Sequence, residues 1–348
     1  MATAASQAEL IERVEALRIP PLPHAATADW KDWYHFVLLH AASGWRCIVN
    51  VNLCGGGEQA QVQYTLVVHV PGQPAQLHGC SRSVPWRSGM VQARPLRVRT
   101  DELELAFEQQ TFALRLQPRG LDLAIELQAR PDGTPLLVTE GSQFGSGFIG
   151  WGLMPRLLAT GTLGACGQTT AVDASWYCYQ DHNFGRFRWG EDIGWEWLVA
   201  HAQPVSGPAL TFVVDLRTDR SHRKGGLPYL FVLVGHRLRK VFLGRALSLR
   251  WQWSADADLP PRLPGVMATL LGDRPSRRPT GLRVQAADER DRASLIMVID
   301  EYLEVVAPDN QSAAFSRIGE ASGTGALTLR LADQTIEGAG LAYAEFTR

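Results

Sequence analysis

Hydrophobic and polar positions in this chain recur mostly at the two-residue spacing of strands, with one exception near the start. In residues 6–18 the apolar side chains Leu10, Ile11, Val14 and Leu17 follow three- and four-residue steps. That spacing predicts a short amphipathic helix, and Ile19-Pro20-Pro21 ends it. Strand patterns then take over at Trp33–His40, Trp45–Leu53, Gln61–Val70, Arg97–Arg99, Leu103–Gln109, Phe112–Gln117, Leu121–Gln128, Thr160–Cys166, Gln168–Ser175 and Trp176–Gln180. Gly190 to Gly194 reads as a hairpin turn between Phe187–Trp189 and Trp195–Ala200. After the proline- and glycine-bearing stretch 201–208 the pattern restarts at Ala209–Asp215, Tyr229–Val234, His236–Leu243, Ala246–Ser254, Arg283–Ala286, Ser294–Val306, Gly325–Leu331 and Thr335–Phe346. Short strands separated by turn residues predict an all-β chain of barrels or sandwiches. With 201–208 taken as a linker, the expected divisions are an N-terminal helical segment 1–24, a first domain 25–200 and a second domain 201–348.

Length agrees with this, since 348 residues suit two domains. The formal net charge of −1 gives no overall field that would select nucleic acid. Residues 1–20 contain no unbroken apolar run, so no secretory signal is expected, and no stretch reaches the length of a membrane span. A cytoplasmic location is the expectation. The five cysteines, Cys47, Cys54, Cys80, Cys166 and Cys178, show no CxxC spacing and predict neither a disulfide framework nor a zinc site. The nine histidines show no metal-binding spacing. Neither a metal nor a cofactor is expected. The glycine-rich Phe144–Gly152 lacks the features of a phosphate-binding loop or a dinucleotide fingerprint and reads as a flexible loop over a pocket mouth. Arg217 to Arg250 is rich in Lys and Arg. It is read as a solvated strand face, with peripheral contact to an anionic membrane or to nucleic acid as the alternatives.

One segment carries the chemistry. Residues 176–197 hold eight aromatic side chains, where the 9% average for the chain would give about two. Asp181, His182 and Asn183 lie in the middle. On an extended strand Tyr177, Tyr179 and Asp181 share a face. A carboxyl desolvated on the inside of a barrel has a raised pKa and can donate a proton. Aromatic rings stabilise a neighbouring cation. Core packing by the aromatics, with Asp-His-Asn as a turn, is the competing reading.

The segment Met154–Gly185, with Tyr179-Gln-Asp-His-Asn-Phe-Gly185 at its end, resembles the lipocalin-like carotenoid 1,2-hydratases (hydroxyneurosporene synthases) and the related AttH-type proteins. Asp32-Trp-Tyr-His-Phe36 is similar to that family's Glu-Trp-Trp-Tyr strand, with His35 where a tyrosine is usual. Glu337–Glu345 is similar to its closing Gly-x-Gly-Tyr-x-Glu strand. The resemblance implies two tandem lipocalin-like antiparallel β-barrels. For the hydratases it also implies protonation of an isoprenoid double bond by the motif aspartate and capture of the cation by water. Asp181 matches that aspartate, and His182 and Asn183 match its neighbours. Fungal decalin-forming Diels–Alderases share the implied fold.

The expectation is therefore a cofactor-independent lyase or isomerase, a hydratase or cyclase acting on a hydrophobic isoprenoid or polyene-like small molecule. Asp181 is the expected proton donor, with His182 and Asn183 orienting it or a water. Trp33, His35, Tyr177, Tyr179, Trp189, Trp195 and Trp197 are the expected substrate-binding residues. The alternatives are a pericyclase that organises a flexible substrate and a non-catalytic carrier of a hydrophobic ligand.

Overall fold

The computed structural model describes residues 4–18, 29–55, 60–72, 78–144, 146–192, 194–219, 226–264, 266–271, 274–309 and 314–347. The proline stop at 19–21, the 24/25 boundary, His24 and His222 fall outside these residues. Helix α1 spans Ala4–Glu15. The first run of strands is β1 (Trp30–Leu39), β2 (Arg46–Cys54), β3 (Gln61–His69), β4 (His78–Pro85), β5 (Val91–Ala93), β6 (Leu96–Arg99), β7 (Leu103–Glu108), β8 (Thr111–Leu116), β9 (Leu123–Pro131), β10 (Leu136–Phe144), β11 (Gly147–Ala165), β12 (Gln168–Val172) and β13 (Tyr177–Arg186). The second is β14 (Gly194–Ala202), β15 (Leu210–Thr218), β16 (Tyr229–Val234), β17 (Arg237–Leu243), β18 (Leu247–Trp253), helix α2 (Val266–Leu271), β19 (Pro279–Ala287), β20 (Arg292–Pro308), β21 (Phe315–Arg330) and β22 (Thr335–Thr347).

The fold is all-β, with two curled antiparallel sheets forming half-barrels. The first sheet has the order β4-β3-β2-β1-β13-β11-β9-β8-β7-β6-β5, with β10 and β12 both pairing β11. The second has the order β17-β16-β15-β14-β22-β21-β20-β19-β18. The two compact units part between Arg188 and Trp189. Residues 203–209, which overlap most of the stretch read as a linker, connect the paired strands β14 and β15. Proline and glycine mark a hairpin connection as readily as a domain junction. Gly190–Gly194 is likewise no hairpin turn: β13 pairs in the first sheet and β14 in the second.

In the first unit alternate side chains of several strands turn to one core. Tyr34, Phe36 and Leu38 of β1, Val49 and Val51 of β2, Leu114 and Leu116 of β8, and Cys178 of β13 meet in one apolar core. Ile11 and Val14 of α1 join that core. Each such side chain contributes about 1.5–3 kcal/mol on burial. A twelve-residue helix is marginal alone in water, so this contact is what keeps α1 helical. Gly152 of β11 makes room for it, because a Cβ there would lie 2.8 Å from Val14 Cγ1.

The glycine-rich 144–152 stretch is not a loop over a pocket. Most of it is the start of the nineteen-residue strand β11. In the second unit, Leu198, Phe212, Val214, Leu230, Val232, Leu282, Val284 and Leu327 build a separate apolar core. The basic stretch contains β17, an edge strand on which Arg237 and Arg239 are exposed, while Lys240 pairs with Asp288 and Asp291, each at 2.6 Å. Exposed charge on an edge strand discourages pairing with another chain. No helix among the described residues is long and apolar enough to cross a membrane.

Candidate active site

The Asp-His-Asn motif is strand, not turn: β13 continues through it to Arg186. It is flanked by β1 and β11 in antiparallel register, with His35 and Leu153 directly opposite Asp181, and Trp33 and Trp151 opposite Asn183. Gly185 allows this close pairing. A Cβ on it would sit 2.2 Å from the Phe148 carbonyl oxygen of β11.

Strand alternation sends the motif's side chains to opposite faces. Cys178, Gln180 and His182 fall on the side of the unit's own apolar core, while Tyr179, Asp181 and Asn183 fall on the other. The acid therefore lies outside the half-barrel core that would have desolvated it from within. It is buried all the same, at 3% exposure. The Tyr179 hydroxyl donates to its Oδ2 at 2.8 Å, and Asn183 Nδ2 donates to its Oδ1 at 2.7 Å. Those two donors fix the plane of the carboxyl. On the next strand His35 is buried, and burial pushes its imidazole down to about 3. At ordinary pH it is a neutral ring, with one nitrogen a hydrogen-bond donor and the other an acceptor.

Trp33 shares this face, half-buried, with its ring edge-to-face against Phe187 at 5.7 Å. Lys31 is also here, fully buried, with Nζ donating to the Phe187 carbonyl at 2.6 Å and lying 5.1 Å from the centre of the Phe187 ring. Nothing in the sequence pattern marked it, because a lysine beside a strand start reads as a surface residue. Tyr177, at the start of β13, donates its hydroxyl to the Pro155 carbonyl at 2.6 Å.

His182 does not reach Asp181 as an orienting partner. Its Nδ1 lies 2.6 Å from the Val14 carbonyl, its Nε2 contacts the Asp32 carboxylate, and its ring stacks on Tyr34 with centres 4.2 Å apart. Both nitrogens face acceptors, as in an imidazolium. Burial alone pushes the ring down, but Asp32, Glu15 and the Val14 carbonyl outweigh it and hold the pKa above the ordinary histidine value. Asp32 Oδ2 also accepts from the Arg18 backbone N–H at 2.6 Å. The motif histidine thus ties the end of α1 to the sheet. Beside it Glu15 is buried at 2% exposure, with Oε2 accepting from Gln180 Nε2 at 3.2 Å.

Trp189, Trp195 and Trp197 belong to the second unit. There the register sets Trp197 opposite Glu345, and Glu345 opposite Glu320. Trp195 Nε1 donates to Glu345 Oε2 at 2.7 Å. Both glutamates are buried, and burial raises both; Glu320 is lifted well above the usual carboxylate range by burial and then by its neighbour. Glu345 fell within the closing sequence motif, whereas Glu320 had no sequence signal. Burial pushes the Cys178 thiol up to about 12, which disfavours its thiolate. Among the described residues no three His, Cys, Asp or Glu side chains converge as metal ligands would.

No family model matches the chain, and no curated protein matches it by sequence. Solved structures do match it by fold. A protein of Nitrosomonas europaea described as AttH superposes with a TM-score of 0.62 at 15% identity, covering 95% of this chain and 96% of its own. Kievitone hydratase from Nectria haematococca gives 0.60 at 11% identity, covering 96% and 94%. CghA, solved with Sch210972, gives 0.56 at 11%, covering 91% and 88%. At these identities the likeness defines the fold class, a tandem pair of lipocalin-like half-barrels spanning nearly the whole chain.

Proposed function

We propose that this protein is a hydratase or cyclase that protonates a double bond of a hydrophobic, isoprenoid or polyene-like substrate, with Asp181 as the proton donor. The observation that carries the reading is the buried Asp181 carboxyl, fixed by Tyr179 and Asn183 and set opposite a neutral histidine. The fold neighbours support it in kind, since one is a hydratase and another was solved with Sch210972.

The atoms balance without a cofactor. Asp181 gives its proton to one alkene carbon, and the adjacent carbon becomes cationic. In hydration a water oxygen bonds to that carbon and its proton returns to the Asp181 carboxylate, which restores the acid. In cyclisation a second double bond of the same molecule attacks, and loss of a neighbouring proton to the Asp181 carboxylate ends the reaction and restores the acid. Trp33 and Tyr179 lie on the same face, where ring faces stabilise positive charge by up to about 2 kcal/mol when desolvated. Positioned proton transfer of this kind contributes typically about 10²–10⁴-fold.

The experiment is turnover of isoprenoid polyenes in D₂O, read by mass spectrometry. The product is expected to gain one non-exchangeable deuterium on carbon, and Asp181→Asn to abolish it. A product formed without carbon-bound deuterium would replace proton donation by conformational organisation of the substrate. A second reading rests on Glu320 of the second unit, a buried carboxyl set opposite the buried Glu345 and raised well above the usual carboxylate range, which would serve as the donor in place of Asp181.

A further inference from the structure

The face that carries Asp181 continues across four more strands as two polar rows. One row runs Asp181, His35, Asn50, Thr65, Ser81 from β13 through β1, β2 and β3 to β4. The next runs Asn183, Trp33, Asn52, Gln63, Ser83. The row on the other side of Asp181 is apolar apart from one phenol: Tyr179, Val37, Ile48, Val67, Gly79. A sheet face that only packed against apolar surface would not alternate in this way.

Most of the polar groups in the rows are used. Asn52 Nδ2 donates to Gln63 Oε1 at 3.1 Å and to Cys54 Sγ at 3.3 Å, Gln63 Nε2 donates to Gln61 Oε1 at 3.1 Å, and Thr65 Oγ1 donates to Ser81 Oγ at 3.0 Å. Two acceptors are left over. Asn50 Oδ1 and Asn52 Oδ1 are both buried and accept no hydrogen bond from any described residue. An amide oxygen buried without a donor is costly, and buried polar atoms nearly always have a partner. The two oxygens stand on adjacent rows, one strand beyond His35 and Trp33, and what both lack is an O–H or N–H.

We propose that the molecule handled at Asp181 is amphipathic, an alkene bearing a hydroxyl or another hydrogen-bond donor, and that Asn50 and Asn52 are specificity-determining residues that accept that donor. The inference rests on Asp181 marking the substrate face. The apolar row takes the hydrocarbon part, and the asparagine oxygens discriminate against a pure hydrocarbon. A site whose polar groups are left unpaired rejects the analogue lacking the donor more strongly than an apolar pocket rejects an extra methylene.

The test is binding rather than turnover, so that it stands apart from the proton-donor assignment. Geraniol and its methyl ether, which lacks the donor, are titrated calorimetrically into Asp181→Asn protein and into the same protein with Asn50→Leu or Asn52→Leu added. Geraniol is expected to bind at least about tenfold more tightly than the ether, the ratio of one net hydrogen bond. Each leucine variant is expected to bring the two ligands within about twofold while the ether still binds. If a leucine variant does not melt cooperatively, Asn50→Ala or Asn52→Ala is read in its place. Equal affinities in the parent protein, a preference that survives both leucine variants, or binding of neither ligand overturns the proposal; equal affinities would mean that water serves the two oxygens. A geraniol preference in a protein whose Asp181→Asn form still turns over would retain this inference and reject Asp181 as the donor.

Discussion

The most quantitative consequence of the site concerns Glu15, whose carboxyl seals the end of α1 against Gln180 and His182. Burial, opposed by the His182 charge, lifts its pKa from 4.5 to about 8. Between those values the native protein holds a proton that the unfolded chain releases. Stability therefore falls as pH rises from about 4.5 to about 8 and is level on either side as far as this group is concerned. A tenfold change in proton affinity is worth about 1.4 kcal/mol, so the full loss is on the order of 5 kcal/mol. Glu15→Gln keeps the shape of the protonated acid: its oxygen can still accept from Gln180 Nε2, and its new N–H₂ can donate to Gln180 Oε1, which accepts from no described residue. The variant is expected to match the parent at pH 4.5 and to exceed it increasingly up to pH 8–9. Urea unfolding of both proteins at five pH values reads the difference. For a domain of this size the full effect corresponds to a shift in Tm of about 10 °C or more. A gap that does not change with pH would refute the reasoning, because Glu15 would then titrate as a solvated carboxyl.

Two further outcomes follow from the same accounting. Asp215 is buried and raised to about 6 by burial, against the pull of Arg217 at 3.1 Å; Arg217→Met should cost about 3–5 kcal/mol at pH 7 and clearly less at pH 5, where Asp215 takes up a proton, as urea titrations at the two pH values would show. Gly185→Ala should lower Tm, because its methyl would meet the Phe148 carbonyl at 2.2 Å; an unchanged Tm would mean that β11 and β13 can part at the motif without loss.

The strand pattern made the all-β class and most strand positions legible, because alternation survives wherever one face is apolar. It failed where both faces are buried. In β11 the glycines Gly147, Gly150 and Gly152 erase the alternation, so a long central strand looks like a loop. The same limit applies to the candidate site. Asp181 was visible through its motif, and its alignment with Tyr179 followed from strand geometry. Which face met the core did not follow, because Cys178, Gln180 and His182 include two polar side chains while the opposite face carries Tyr177 and Tyr179. The same ambiguity hides the role of His182, whose partners Val14 and Asp32 are far away in the chain. Asn50, Asn52 and Glu320 have no local signal at all; only the register between strands puts them in rows.

The central claim is that one carboxyl, Asp181, supplies the proton. The most direct measurement compares carbon-bound deuterium incorporation by Asp181→Asn and Glu320→Gln proteins with the parent, on the same polyene in D₂O, after circular dichroism has shown all three to be folded. The account predicts a loss of about 10²-fold or more for Asp181→Asn and a rate within about threefold of the parent for Glu320→Gln. Near-parental incorporation by Asp181→Asn, with the loss in Glu320→Gln instead, would contradict it and move the acid to the second unit.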